Sequence, residues 1–392
     1  MNAIPRLKAY SGPALLSYGF RPFFFVGACY AALAIALWLP LFKGEIALAT
    51  HFAARDWHVH EMLYGYVAAV LTGFLLTAIP NWTGRLPLQG TPLLGLVLVW
   101  LVGRCAVAWS EHLGWTFSAV LDCAFLVLVT AATAREIIAG QNWRNLKILI
   151  PVAVLALANI GFHAEAYTFG IAEFSSRAAI GAMVILLMLI GGRIVPSFTR
   201  NWLSRENPGR LPVPFGRFDV TSIACSAAGL GLWVVRPEGE LTGGALLLAA
   251  GLQCVRLVRW AGDRAARERL VLILHVAYGF VPLGFVLAGM AAFGLILPSA
   301  GMHAWMAGAA GTMTLAVMTR ASLGHTGHEL SAGVGTQAIY AAVLIAACAR
   351  VTGALIPGWT FALLHVAALA WIAAFGGFAA LYGRLLFRDS RS

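Results

Sequence analysis

The chain has 392 residues, 60% of them hydrophobic and 11% charged, with a formal net charge of +11. Soluble domains carry roughly 25% charged residues and cannot hide this much apolar surface, so a large soluble protein is excluded. The apolar residues run in long blocks without period-two alternation, which excludes a β-barrel and points to an all-α polytopic membrane protein.

In chain order, about twelve blocks are long enough to cross a bilayer as helices, and residues 1–392 read as a single integral membrane domain. The blocks lie near 22–42, 58–80, 91–109, 113–133, 146–163, 175–195, 219–236, 242–260, 271–297, 302–320, 336–356 and 358–382. Pro5, Arg6, Lys8 and Pro13 precede the first block without a compact apolar core, so no signal peptide is expected to be cleaved there. With the N-terminus placed in the cytoplasm, only Lys43, Arg55, Arg104, Arg177, Arg236 and Arg350 of the 27 Lys and Arg fall on the outer side. That bias is the positive-inside pattern of a chain with both termini cytoplasmic. The basicity is therefore read as topology. It implies a lipid bilayer as partner and no nucleic acid. The six cysteines lie within spans, and no disulfide framework is expected.

A faint internal repeat divides the twelve spans into three units of four. Gly65, Pro80 and Thr83 of the second span recur at the same spacing as Gly181, Pro196 and Thr199 of the sixth. Gly308 and Thr326 of the tenth repeat the outer two, with Leu323 in place of proline. Such a plan differs from the two six-helix halves of many transporters.

With few charges in the spans, the ten histidines are the main chemical resource, since ionisable residues at membrane depth are costly and often functional. Trp57-His58-Val59-His60-Glu61-Met62 opens the second span. Residues two apart point to different helix faces, so His58 and His60 do not chelate one metal from a regular helix, and His60 shares a face with Tyr64. The repeat sets His60 level with His303, and Ser176 takes the equivalent place in the sixth span. Two imidazoles at one depth suggest a bis-histidine haem, against the plainer reading of two hydrogen-bonded interfacial histidines. His163, beside Glu165, is a further metal candidate with the same alternative. His275, well inside the ninth block, is either a cofactor ligand or a buried hydrogen-bonded imidazole. His325 and His328 are three apart and form at best an incomplete metal site. Asp122, inside the fourth block, reads as a proton or polar-network residue or as a paired structural acid. Gly191-Gly192-Arg193 lacks the context of a phosphate loop.

Several segments together resemble one family. They are Tyr18-Gly19-Phe20-Arg21-Pro22-Phe23-Phe24, the Trp57–Met62 run, the stretch from Gly73 to Gly84, Pro196-Ser197-Phe198-Thr199-Arg200-Asn201-Trp202, and the stretch from Gly311 to Gly327. All are similar to motifs of the NnrS family. The resemblance implies a bacterial inner (cytoplasmic) membrane protein with haem, of b type, and copper. It implies a role in nitric oxide metabolism and relief of nitrosative stress, often beside denitrification, with an electron donor it does not identify. His328 stands where the family is expected to carry arginine. Twelve helices in three groups of four also resemble subunit I of the haem–copper oxidases, where histidines of the second and tenth helices hold a low-spin haem. The copper histidines of helices six and seven there have no counterpart here, and the likeness is one of fold. The candidate cofactor ligands are thus His60, His303 and His275, and the candidate metal ligands His58, His60, His163, His303 and His325. The functional expectation is a haem- and copper-binding protein that binds or removes nitric oxide or transfers electrons. The alternative is a secondary transporter of a metal or small anion.

Overall fold

Every regular element among the described residues is helical, as the long unalternating apolar blocks require. The computed structural model describes residues 10–388; Pro5, Arg6, Lys8 and Arg391, used in the reading of topology, lie outside the described residues. Eleven helices are long and apolar enough to cross a membrane. They are α1 (Phe20–Phe42), α2 (Ala54–Thr83), α3 (Thr91–Ala108), α4 (Trp115–Ala139), α5 (Trp143–Phe169), α6 (Phe174–Glu206), α7 (Arg217–Val235), α8 (Glu240–Val258), α9 (Arg269–Ala292), α11 (Val334–Leu355) and α12 (Pro357–Phe387). Between α9 and α11 lies α10, residues 299–325, a continuous helical run that is not among the eleven. Gly301, Gly308, Gly311, Thr312, Thr314 and Thr319 dilute its hydropathy, and close packing accounts for two of the glycines. A Cβ on Gly301 would sit 2.7 Å from the Ala288 backbone nitrogen, and one on Gly308 would sit 2.3 Å from the Phe280 ring. Small residues that admit a neighbouring helix are the usual device of membrane helix packing.

The helices gather into two compact units. The first comprises the chain up to Ala179, Ala321–Glu329 and the chain from Phe375; the second comprises Ile180–Arg320 and Leu330–Ala374.

The first unit is built around α2, most of whose apolar stretch is buried. A helix apolar on all sides is one surrounded by others. Gly73 lets α1 approach, since a Cβ there would lie 2.9–3.0 Å from Phe23 and Phe24. The α1 end is then fixed by the Phe20 backbone N–H, which donates to Thr77 Oγ1 at 3.1 Å. Next to it, the buried Arg21 sends Nη1 to the carbonyls of Leu386 (2.9 Å) and Arg388 (2.6 Å). The motif arginine at the start of the chain thus satisfies carbonyls that the end of α12 leaves without helical partners.

In the second unit, Arg256 of α8 is buried without access to solvent. Its Nε donates to Asp219 Oδ1 (3.0 Å) and its Nη1 to the Tyr278 hydroxyl (2.8 Å) and the Met188 carbonyl (2.9 Å). Gly192 makes room for it, because a Cβ there would fall on the guanidinium. The Gly191-Gly192 pair is therefore a packing device within α6.

One regularity matches the repeat seen in the sequence. Both α2 and α10 widen into π-helix immediately after the two histidines it aligns, at Glu61–Val67 and at Ala304–Gly311. In α6 the equivalent stretch is regular α-helix.

Arg21→Met is expected to destabilise the detergent-solubilised protein by about 1–3 kcal/mol, the worth of hydrogen bonds to a charged donor, read as a lower thermal unfolding midpoint.

Candidate metal centre

Five helices of the first unit bring polar side chains to one buried place. From α2 come His60, Glu61 and Tyr64, from α3 Arg104, from α4 Asp122, from α5 Asn159 and His163, and from α1 Tyr30. Asn159 and His163 are four apart on α5 and so share its inner face. The π-helical turn begins at Glu61, and such widened turns recur at functional sites.

His60 lies at the centre. Its Nδ1 is 2.8 Å from Glu61 Oε1, and its Nε2 is 3.2 Å from Asp122 Oδ2 and 3.1 Å from Asn159 Oδ1. His163 Nε2 reaches the same Asp122 Oδ2 at 3.0 Å, and Asn159 Nδ2 donates to it at 2.8 Å. Arg104 bridges the two acids, donating from Nη1 to Glu61 Oε2 at 2.6 Å and from Nη2 to Asp122 Oδ1. The Tyr30 hydroxyl donates to Glu61. Phe52 and Phe162 pack on the His60 ring at 5.0 and 5.2 Å, and Tyr64 packs at 5.0 Å with its hydroxyl unmatched by any protein group.

Two features define what this set can do. Both ring nitrogens of His60 face oxygen acceptors, and two carboxylates meet one guanidinium, so the cluster has a place for one more positive charge. One ligand atom from each of His60, Asp122 and His163 lies within 4.8 Å of the other two. Two imidazoles and a carboxylate are a donor set for a transition metal ion. Glu61 is then the carboxylate that takes the other ring N–H of His60 and fixes its tautomer.

The remaining candidates lie elsewhere. His58 points away from His60, as its spacing predicts, and stacks on Trp38 at 4.2 Å. His325 stacks on Tyr18 at 5.8 Å and lies 5.3 Å from Phe20, while His328 Nδ1 turns to Thr326 Oγ1 at 2.9 Å. In the second unit, His275 Nε2 is 2.8 Å from Thr199 Oγ1, whose own proton goes to the Val195 carbonyl. His303 Nδ1 donates to the Ser299 carbonyl at 2.7 Å, a tautomer that keeps the lone pair on Nε2. Sequence reasoning does not single out Tyr30, Arg104 or Asn159 as site residues, and it gives Asp122 a polar-network or structural role and no metal. A lone asparagine in an apolar helix carries no signal, but Arg104 and Asp122 are opposite charges in consecutive spans, which is a pairing signal at membrane depth.

Arg104→Met leaves two buried carboxylates uncompensated and is expected to cost about 3–5 kcal/mol in unfolding measurements; the double variant Arg104→Met/Asp122→Asn is expected to recover part of that loss.

A family model described as NnrS protein matches residues 14–390. No match was found among curated proteins. The match covers nearly the whole of a helical, membrane-spanning chain, and the chain belongs to the NnrS family of membrane proteins linked to the response to nitric oxide.

Proposed function

We propose that this protein is a haem- and copper-binding component of nitric oxide and nitrosative-stress metabolism in the bacterial inner membrane, with its copper site at His60, Asp122 and His163. The observation that carries the reading is that buried His–Asp–His set, within a family associated with haem and copper. Copper and haem iron, when bound, supply redox-active centres that take nitric oxide as a ligand or pass an electron.

The chain's own residues have separable tasks in this reading. His60 and His163 present Nε2 and Asp122 presents Oδ2. Glu61 holds the far side of the His60 ring, and the Asn159 amide orients the Asp122 carboxylate. Arg104 ties Glu61 to Asp122 and sets the charge of the enclosure. Phe52 and Phe162 exclude water, and the unmatched Tyr64 hydroxyl offers a donor beside His60. Three donor atoms this close suit a single ion, so haem ligation is assigned to histidines outside the trio, first His303 and then His275. The electron donor is a separate partner.

Metal content and visible spectra of the purified protein test the reading. Asp122→Asn and His163→Ala are expected to lose copper, and Glu61→Gln to weaken its affinity by about 10- to 100-fold. His303→Ala is expected to change the reduced-minus-oxidised haem spectrum while leaving copper in place. Well-folded protein from haem- and copper-replete cells that holds neither metal would instead favour a secondary transporter of a metal or small anion.

A further inference from the structure

Where α2 and α4 end, the first unit opens a cavity of about 690 Å³. Its wall is apolar, formed by Leu76, Ile79 and Pro80 of α2 and by Leu86 of the segment that follows. Gly84 ends α2 in the left-handed conformation (φ +67°), and the chain then runs without regular structure to Gly90, which makes one side of the groove. Two guanidiniums stand among the lining groups. Arg85 Nε is 2.5 Å from Glu136 Oε2, and Arg135, whose side chain is 77% exposed, reaches the same carboxylate only at 3.9 Å. The turn after α4 is tied to this end of α2, because Asn142 donates to the Trp82 carbonyl. One carboxylate therefore faces two guanidiniums.

The setting is the end of two helices long and apolar enough to cross a membrane, on the face that the positive-inside count assigns to the cytoplasm. Water does not favour an apolar wall, and a hydrocarbon chain has nothing to offer guanidiniums. An amphipathic anion suits both. Guanidinium matches phosphate oxygens in a planar fork, and basic pockets between helix ends are the recognised setting for acidic headgroups.

We propose that this groove binds one acidic glycerophospholipid of the surrounding membrane. The phosphate sits at Arg85 and Arg135, and the upper acyl chain lies along Leu76, Ile79, Pro80 and Leu86. Glu136 offsets part of the positive charge there and competes with the phosphate for the two arginines.

The test uses full-length protein in nanodiscs of mixed phosphatidylcholine and phosphatidylglycerol, released into the mass spectrometer with its retained lipids. Preferential retention of phosphatidylglycerol is expected, falling about 10- to 30-fold in Arg85→Gln/Arg135→Gln. Glu136→Gln, which removes negative charge, is expected to retain at least as much as wild type. Unfolding midpoints in pure phosphatidylcholine nanodiscs check that each variant is folded. Equal retention of the two lipids, or a loss in Glu136→Gln as large as in the arginine double variant, overturns the proposal. Displacement of phosphatidylglycerol by inorganic phosphate alone also overturns it, because the site would then recognise an anion and not a lipid.

Discussion

Arg104 and the two carboxylates it joins occupy a place where the surroundings cannot solvate an unmatched charge. Each ionised group brought to membrane depth carries a penalty of several kcal/mol unless a partner meets it there. This constraint ties the first unit together. Glu61 on α2 and Asp122 on α4 are acceptable because Arg104 on α3 reaches both, and the three helices must then keep their relative height and rotation. His60 and His163 are drawn into the same arrangement through Asp122.

The polar cluster is also selective in what it leaves open. Donors from Arg104, Tyr30 and Asn159 serve the carboxylates, and one imidazole stands between two of them. A hydrogen-bonded network of this kind rigidifies its unit when every member is satisfied, and it marks a site when a charge is still wanted. The second unit provides the contrast. There, Arg256 meets a single carboxylate, Asp219, along with a tyrosine and a carbonyl, a balanced pair without a histidine in the same network.

The helical architecture was legible because bilayer thickness imposes a length on every span, and block lengths in the sequence report it directly. The exception is instructive: α10 is glycine- and threonine-rich where neighbouring helices press on it, so a hydropathy threshold passes over it while its position in the series does not. The site was half legible. Histidine chemistry and the opposite faces of His58 and His60 follow from residue type and helical period. The meeting of His60 with His163 does not, because it depends on α2 lying against α5, and no periodicity within one helix encodes its neighbour. Nor does any local pattern announce the widened turn after His60, since the extra residue is accommodated by packing and not by a breaker in the sequence.

Arg21 has a bearing on how the molecule is made. It is made long before the carbonyls it holds, those of Leu386 and Arg388, which lie 365 and 367 residues further along the chain. The first unit can insert its early helices during translation, yet its hydrogen bonding is complete only when α12 arrives. A chain interrupted before α12 would thus keep the polar cluster and lack the closure, which makes the end of α12 a checkpoint on the unit that carries the candidate metal centre.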